Sequence, residues 1–502
     1  MSRLFIYLSR YGFLFYILFF LWQSLLAIRD ARPENGGSAA RPLFAQRVII
    51  LVMHYTGILI LSYQEGTLQF TPSALVLGGA GLAFLLAGFF VTDHVYRHSD
   101  GLLWNCLFFL LDLSLIMLLR LNPALAQKQL LWMALGMAAA LVLPLPLNLF
   151  PQLQNWKYLY LGLSLLLALA TLLLGNEAYG SVSWLTLGLL QFQPSEVIKF
   201  LFLFYLASEF REGWDRRRIL VSGGFAAALV LLLVCQKDLG AGLLFFMMYL
   251  TLLYIATGRT LLFLAGLGAG AGASLLAYQL FAHVRVRVAA WRDPWADVDS
   301  GGYQIAQSLF AICSGGFFGS GLGLGMPKSI PVVEKDFIFA AICEELGGLF
   351  ALGLLAVFLT LFLRGMHIAL RAESRFYSLI AAGVVCLLAF QTFLIVGGNL
   401  KLIPLTGVTL PFVSYGGSSI FVSLLMVGLL QWVGAHHRAG TEEAEREAHL
   451  LSHKKPAKKS GQRPRKTAAK ALAKAGAAPK APAKKAVAPK SSASKEGRNH
   501  EK

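Results

Sequence analysis

Charged residues are scarce in this chain. Only 14% of its 502 residues are Asp, Glu, Lys or Arg, whereas 57% are hydrophobic. In soluble globular domains about a quarter of the residues are charged. The scarcity excludes a soluble globular protein and predicts a chain that is embedded in lipid.

Cysteines are also few, and they are scattered. The chain has five, and no two of them have the close spacing that metal-binding cysteine motifs require. Their distribution excludes a zinc-cluster domain and a small domain held together by disulfides. We predict that most of them pack within membrane helices. They are Cys106, Cys235, Cys313, Cys343 and Cys386.

Long apolar runs take the place of the missing charge. A helix needs roughly 20 apolar residues to cross a bilayer, and runs near that length recur along the chain. They predict an all-α polytopic membrane protein with about 13 transmembrane helices. The predicted spans lie near 11–28, 47–63, 73–91, 103–121, 129–148, 157–175, 195–209, 218–236, 239–257, 261–282, 338–363, 376–398 and 412–434.

Lysine and arginine predict the orientation of these spans. Loops near 29–47, 211–218 and 364–375 are rich in arginine, and those near 64–72 and 176–194 are poor in it. By the positive-inside rule the rich loops and the C-terminus are cytoplasmic, and the 283–337 loop is extracellular. An odd number of spans puts the N-terminus outside, although Arg3 and Arg10 argue against that. No small-residue cleavage site follows the first span, so we do not treat it as a removed signal.

The C-terminal segment 435–502 has a different composition. It begins with glutamates, becomes rich in Lys, Ala and Pro, and carries most of the net charge of +18. Such a segment cannot bury a core, so we predict a disordered cytoplasmic tail. The tail either contacts anionic lipids or is a solvated segment that serves only as a tether. Because it lacks aromatic residues, we expect no nucleic-acid partner.

Several polar residues lie where lipid-facing residues would be apolar. Glu196 and Lys199 are three residues apart at the start of a span, so they form a local ion pair, line an internal cavity, or both. Asp238 lies in a short turn beside Lys237, and Asp112 lies within a span without an evident partner.

A second polar stretch precedes the last span. Residues 402–419 contain two prolines, three glycines and five serine or threonine side chains, Ser414 and Ser418 among them. Irregular backbone at membrane depth is tolerated only against protein or a water-filled cavity. We therefore expect this segment to line an opening.

Acidic and basic residues collect in the predicted 283–337 loop and its surroundings. Its basic residues either bind an anionic substrate or neutralise the loop's own acidic residues. The acidic group is Asp293, Asp297, Asp299, Glu334 and Asp336; the basic group is Arg285, Arg287, Arg292, Lys328, Lys335 and, beyond the next helix pair, Lys401.

The same loop has glycine at positions 319, 321, 323 and 325. A dinucleotide-binding motif needs a preceding strand within a βαβ unit, and none is predicted here. The glycines instead indicate flexibility or a close approach of backbone segments.

Seven short blocks together resemble the SEDS family, the RodA/FtsW/SpoVE glycosyltransferases of peptidoglycan synthesis. They are Gln193-Pro-Ser-Glu196 with Lys199; Gln236 with Asp238-Leu-Gly240; Gly302-Tyr-Gln304 with Gln307-Ser308; Ser314-Gly-Gly316; Asp336-Phe-Ile-Phe339; Glu344-Glu-Leu-Gly347; and Leu410-Pro-Phe-Val-Ser-Tyr-Gly-Gly-Ser-Ser419. The resemblance implies a ten-helix core over 103–434, preceded by about three additional helices in 1–102. The chain departs from the family pattern at Ser183, Lys237 and Val332.

The resemblance implies polymerisation of lipid II at the outer face of the bacterial cytoplasmic membrane, with a class B penicillin-binding protein as partner. It also implies a catalytic acidic residue a few positions before Tyr303. Asp297 is the match, and Asp293 and Asp299 flank it.

The chemistry agrees with these residues. A carboxylate that accepts the proton of a sugar hydroxyl accelerates the reaction about 100- to 10,000-fold. The pyrophosphate leaving group needs positive charge, from Arg285, Arg287 or Lys401, or from a divalent cation such as Mg²⁺ or Mn²⁺. Other residues are predicted to shape the substrate cavity: Glu196, Lys199, Asp238, Glu345, Ser414 and Ser418.

Two other functions are compatible with the membrane features. A transporter for a lipid-linked precursor also has intramembrane charges and broken helices. A scaffold that recruits a cell-wall synthase needs no catalysis. Neither calls for a carboxylate cluster beside a basic loop, so glycosyl transfer is favoured. The sequence does not distinguish a role in elongation from one in division or sporulation.

Overall fold

The structure, a computed structural model, describes residues 2–30, 39–64, 69–96, 98–178, 181–187, 190–298 and 301–453. Within these ranges 12 helices are long and apolar enough to cross a membrane. The protein is therefore a polytopic all-α membrane protein. The sequence predicts about thirteen spans, and the difference is the helix that begins at Pro194, which has 17 residues and is mostly buried.

The described part of the chain contains 17 α-helices. They are α1 (Ser2–Asp30), α2 (Ala40–Ser62), α3 (Pro72–Val95), α4 (Gly101–Leu121), α5 (Pro123–Val142), α6 (Pro144–Leu149), α7 (Lys157–Leu174), α8 (Pro194–Phe210), α9 (Arg216–Cys235), α10 (Leu239–Thr257), α11 (Thr260–Leu280), α12 (Ala282–Arg292), α13 (Tyr303–Gly315), α14 (Ile338–Leu346), α15 (Gly348–Arg371), α16 (Arg375–Asn399) and α17 (Gly417–His453).

Short antiparallel strands occur in two of the connections. Strands β1 (Tyr63–Gln64) and β2 (Gln69–Phe70) pair between α2 and α3, with Tyr63 opposite Phe70. Between α7 and α8, strand β4 (Ser181–Leu187) pairs with both β3 (Asn176–Ala178) and β5 (Leu190–Phe192). The second group matters for function because β4 carries Trp184.

Helix α4 is enclosed along its whole length. Its membrane-spanning residues are buried inside the protein, because α2, α3, α5 and α15 pack around it. Glycines let these helices approach closely: a Cβ at Gly57 would lie 2.9 Å from Ile116, and one at Gly88 would lie 2.5 Å from Phe108. The first three helices are therefore integrated with the rest of the fold.

The buried Asp112 of α4 finds its partner in this packing. His54 Nδ1 of α2 lies 2.5 Å from Asp112 Oδ1, and His54 Nε2 lies 2.9 Å from the carbonyl oxygen of Gly78 in α3. A polar side chain inside a membrane bundle requires such a partner. The pair joins three helices at their common centre.

Ion pairs and hydrogen bonds fix α1–α3 at their ends. Arg47 of α2 binds both carboxylate oxygens of Asp93 at 2.6 Å. Arg10 of α1 donates to the carbonyl oxygen of Gly319 at 2.9 Å. The beginning of α1 and the 319–325 loop therefore lie at the same end of the bundle.

The predicted span 338–363 is two helices rather than one. Helix α14 ends at Leu346 and α15 begins at Gly348, and Gly347 between them has φ +91°. A Cβ at Gly347 would lie 2.4 Å from the backbone nitrogen of Gly319. The prediction of one helix is wrong because the break results from packing of Gly347 against the loop that contains Gly319. Apolar periodicity gives no information about such a contact.

Two other predictions need correction in detail. The predicted 283–337 loop is largely ordered and contains α12, α13 and a short 3₁₀ turn, Pro327–Ser329. The segment predicted to be disordered from residue 435 begins as helix, because α17 continues to His453. Residues 454–502 lie outside the described part of the chain.

Candidate active site

A cavity of about 690 Å³ lies where the polar segments of the chain meet. Its wall is formed by α5, β4, α12, α13 and the irregular segments before α14 and α17. The described residues that line it with polar or aromatic side chains are Lys128, Trp132, Ser183, Trp184, Gln193, Lys237, Asp238, Arg287, Gln304, Lys335, Asp336, Thr406, Thr409, Tyr415, Ser418 and Ser419.

Basic side chains outnumber acidic ones in this wall. Among the described lining residues, the basic ones are Lys128, Lys237, Arg287 and Lys335, and the acidic ones are Asp238 and Asp336. A cavity with this balance attracts anions, and its partly enclosed shape strengthens the effect of each charge.

Backbone carbonyls orient Arg287. Its Nη1 donates to the carbonyl oxygens of Leu405 and Thr406, at 3.2 and 3.0 Å. The guanidinium has five N–H groups in a planar fork, so these two bonds leave other donors for a ligand. Arg287 therefore both joins α12 to the 402–416 segment and brings positive charge to the cavity.

Lys335 extends between two aromatic rings. Its Nζ lies 5.7 Å from the ring centroid of Trp184 and 6.0 Å from that of Tyr415. The Oγ of Ser414 donates to the carbonyl oxygen of Lys335 at 2.5 Å, and this contact ties the segment before α14 to the segment before α17. Ser414 is thus a support of the wall.

Asp238 has a structural role as the N-cap of α10. Its Oδ1 accepts from the backbone N–H of Ala241 at 3.1 Å, and its Oδ2 accepts from Gln193 Nε2 at 3.2 Å. Burial raises the pKa of Asp238, and the charge of Glu196 raises it further, whereas the Ala241 and Gln193 hydrogen bonds and the charge of Lys199 lower it. The carboxylate is held in place by two donors.

Glu196 and Lys199 form a buried pair. Lys199 Nζ lies 2.7 Å from Glu196 Oε2, and both side chains are almost fully enclosed. Because the pair neutralises itself, it brings little net charge to the cavity. The structure shows the local ion pair, whereas neither Glu196 nor Lys199 is among the described residues that line the cavity.

Asp336 differs from Asp238. Within the described part of the chain, its carboxylate accepts no hydrogen bond. Burial raises the pKa of Asp336 to about 6, the charges of Lys335 and Arg287 oppose that rise, and Glu334 adds to it. Asp336 is thus an acidic group of the cavity wall that titrates near neutral pH.

Aromatic rings and hydroxyl groups line another part of the cavity. Trp132 lies against the backbone of Gly417, where a Cβ would come within 2.3 Å of the indole nitrogen. Thr409 and Ser419 share a hydrogen bond of 3.1 Å beside it. Aromatic faces with adjacent hydroxyls suit a sugar, whose ring has apolar C–H faces and polar edges.

The family comparison agrees with this arrangement of blocks. A family model described as "Cell cycle protein", for FtsW, RodA and SpoVE, matches residues 95–439. The chain belongs to the FtsW/RodA/SpoVE family. Most of α1–α3 lies before the matched residues.

Curated members of the FtsW/RodA/SpoVE family resemble the chain closely. Peptidoglycan glycosyltransferase RodA of Mycobacterium tuberculosis is 36% identical over 388 residues, which cover 70% of this chain and 81% of that protein. Stage V sporulation protein E of Bacillus subtilis is 36% identical over 269 residues, which cover 52% of this chain and 73% of that protein.

Solved structures of the family share the fold. A chain of a peptidoglycan synthase complex that coordinates polymerisation and crosslinking is 29% identical, with a TM-score of 0.59. The match covers 68% of this chain and 98% of that one. RodA of Thermus thermophilus is 27% identical, with a TM-score of 0.50, over 67% of this chain and 96% of that one.

In this FtsW/RodA/SpoVE protein, Asp297 lies next to the cavity. Its side chain is exposed, and its Oδ2 accepts from the backbone N–H of Gly301 at 3.1 Å, while Gly301 itself lines the cavity. Asp293 is also exposed, and its Oδ1 accepts from the backbone N–H of Trp295. Asp299 lies outside the described residues.

Some of the other predicted substrate residues line the cavity, and others do not. Arg287, Asp238 and Ser418 line the cavity. Arg285 is exposed and donates to the carbonyl oxygen of Gln279, and the carbonyl oxygen of Lys401 accepts from Trp291. Neither Arg285 nor Lys401 is among the described lining residues, so their predicted contact with pyrophosphate gains no geometric support.

Glu345 lies apart from the cavity. It is fully buried, its Oε1 accepts from Arg120 Nε at 2.9 Å, and its Oε2 accepts from the backbone N–H of Gly323 at 3.1 Å. The predicted role of shaping the cavity therefore gains no support from a direct contact. Glu345 instead organises the glycine-rich 319–325 loop, whose glycines permit the close approach.

Sequence reasoning missed Lys128 and Trp132 of α5. Both line the cavity, but Trp132 falls in the apolar run of the predicted span 129–148 and Lys128 directly precedes that span. A signal was present, because Lys128 is the only lysine or arginine in the predicted span 129–148 and its preceding turn. A lone charge at the end of a span commonly reaches a polar cavity or the membrane interface.

A divalent cation has no evident ligand set here. Among the described residues, no three His, Cys, Asp or Glu side chains converge as cation ligands would. Asp238 and Asp336 line the cavity with basic neighbours, which disfavour a cation between them.

Proposed function

We propose that this protein is a peptidoglycan glycosyltransferase that polymerises lipid II into glycan strands. The observation that carries the proposal is the cavity itself, which combines basic side chains, aromatic faces and a carboxylate that accepts no hydrogen bond from the described residues. Relatives named as peptidoglycan glycosyltransferases support the assignment. Basic residues suit a pyrophosphate, and aromatic and hydroxyl groups suit a sugar.

The residues support an inverting transfer. The hydroxyl oxygen of the acceptor sugar bonds to the anomeric carbon of the donor while the bond from that carbon to pyrophosphate breaks. Asp297 accepts the hydroxyl proton, which is worth about 100- to 10,000-fold in rate. Arg287 and Lys335 stabilise the negative charge on the departing undecaprenyl pyrophosphate.

We infer the cellular setting from charge and from the family. Arginine-rich loops support a cytoplasmic C-terminus in a bacterium and a position of the 283–337 segment at the outer face of the cytoplasmic membrane. Because a similar chain occurs in a peptidoglycan synthase complex, we expect a class B penicillin-binding protein to bind this one.

The test is polymerisation of purified lipid II by the purified protein, with and without a divalent cation. We expect glycan chains from the wild type and a loss of about 100- to 10,000-fold in the Asp297→Asn variant. The matched control is Asp293→Asn, which removes an exposed aspartate of the same loop and should retain activity.

Other results would revise the proposal. Equal activity in Asp297→Asn would assign the base to another carboxylate. Wild-type protein that forms no chains even with its penicillin-binding protein partner would contradict the enzyme. Normal cell-wall growth in a strain that carries only Asp297→Asn would favour a transporter or a scaffold.

A further inference from the structure

The backbone around Asp336 is fixed on two sides. Asn399 Nδ2 of α16 donates to the carbonyl oxygen of Asp336 at 2.7 Å, and the backbone N–H of Asp336 donates to the carbonyl oxygen of Val332 at 3.2 Å. The carboxylate lines the cavity. Its position therefore depends on the fold and not on a flexible loop.

The surroundings of this carboxylate are asymmetric. Lys335 and Glu334 belong to its own segment, Arg287 comes from α12, and the neighbouring residue of α16 is the uncharged Asn399. Within the described residues no donor binds the carboxylate, whereas Asp238 has two. Among the described residues, Asp336 is thus a counter-ion for Lys335 and Arg287 that accepts no hydrogen bond.

An anionic ligand would compete with this counter-ion. A phosphate group attracted by Lys335 and Arg287 must approach the Asp336 carboxylate, and two negative charges repel strongly in a poorly solvated site. Proton uptake by the carboxylate removes the repulsion. The resulting carboxylic acid has an O–H that can donate to a phosphate oxygen.

We propose that binding of a diphosphate in this cavity is coupled to uptake of one proton by Asp336, which then donates a hydrogen bond to the ligand. The inference rests on the proposed function, in which the diphosphate belongs to the lipid-linked donor. It adds a residue that senses the charge of the ligand.

The sign of the pH dependence follows from linkage. The complex holds one more proton than the free protein, so affinity decreases as pH rises. The free carboxyl has a pKa of about 6, so the decrease begins near that pH. Above it, the dissociation constant rises by up to about tenfold per pH unit, until the pKa of the complex is reached.

The experiment is calorimetric titration of the purified full-length protein with undecaprenyl pyrophosphate in detergent micelles, from pH 6 to 8. Two buffers with different ionisation enthalpies report the number of protons taken up. The variants are Asp336→Asn, whose amide imitates the protonated acid, and the exposed control Asp293→Asn. Any proton that the ligand itself takes up on binding is also measured with the Asp336→Asn variant. Subtracting the proton uptake of this variant from that of the wild type therefore leaves the contribution of Asp336.

We expect the wild type and Asp293→Asn to take up close to one proton more than Asp336→Asn does at pH 7. At pH 8 we expect Asp336→Asn to bind more tightly than the wild type, by up to about a hundredfold. Equal proton uptake in all three proteins would overturn the inference, as would undetectable binding to the wild type or weaker binding to Asp336→Asn at every pH.

The lipid II assay separates this inference from the proposed function. Glycan chains from a wild type without proton-linked binding would overturn only the role of Asp336. Proton-linked binding without chains, even with the partner present, would support Asp336 as a diphosphate ligand and contradict the enzyme.

Discussion

The cavity and the glycine-rich loop both concentrate charged residues, but they treat charge differently. Around the loop, Glu345 is bonded to Arg120 and Gly323, and Glu344 accepts from the backbone N–H of Met326. In the cavity, basic side chains outnumber acidic ones, and Asp336 has no hydrogen-bond donor among the described residues. The charged groups around the loop thus stabilise the fold, whereas those of the cavity are suited to bind a ligand.

The pair of Glu196 and Lys199 belongs to the first kind, although its charges act on the cavity residue Asp238. Its atoms are 2.7 Å apart and both side chains are buried. Proximity to a cavity therefore does not by itself identify a ligand-binding charge. The number of protein partners that a charge already has is the better criterion.

The largest predicted effect on stability would come from breaking the glycine-loop network. Glu345→Ala leaves the Arg120 guanidinium without its partner, and losing one partner of a buried ion pair costs about 3–5 kcal/mol. The unfolding free energy of the purified protein in detergent measures the change. Glu373→Ala, at an exposed glutamate, is the control. A change below about 1 kcal/mol for Glu345→Ala would mean that the network is not structural.

A cavity charge should show the opposite behaviour. Lys335→Ala should keep the unfolding free energy within about 0.5 kcal/mol of the wild type, but it removes a cation from the anion site. A charged hydrogen bond is worth about 1.5–3 kcal/mol, so we expect the KM for lipid II to rise roughly 10- to 150-fold. Lys328→Ala, at an exposed lysine nearby, should leave KM unchanged. Equal KM values in the two variants would contradict the assignment.

The smallest predicted effect concerns the link between α1 and the glycine-rich loop. Arg10→Ala removes one hydrogen bond to Gly319 and should cost about 1 kcal/mol of unfolding free energy. Arg29→Ala removes an exposed arginine of the same helix and should cost less. If the two variants were equally stable, Arg10 would not fasten the loop.

The sequence predicted the helical architecture well because membrane spans need long apolar runs. It failed where a helix is interrupted by packing rather than by composition. Residues 338–363 are almost all apolar apart from Glu344 and Glu345, and the approach of Gly319 to Gly347 explains the break. Periodicity describes one helix at a time and does not register a contact between distant segments.

The candidate site was predicted only in part, because sequence patterns do not show contacts between distant segments. Arg287, Asp238 and Ser418 stood out as polar residues in unusual places, and they line the cavity. Glu345 stood out equally, but its partner Arg120 lies far away in sequence, at the end of α4. Lys128 escaped notice because it lies beside an apolar run, and its side chain reaches the cavity only through the fold.

The pairing of His54 with Asp112 has a consequence for biogenesis. An aspartate at the centre of a lone membrane helix costs about 2.5–3.5 kcal/mol to insert. Because α2 is synthesised before α4, His54 is already in the membrane when Asp112 leaves the ribosome. We expect the helices before α4 to aid its insertion. A protein without α2 would have to insert α4 without the His54 partner of Asp112.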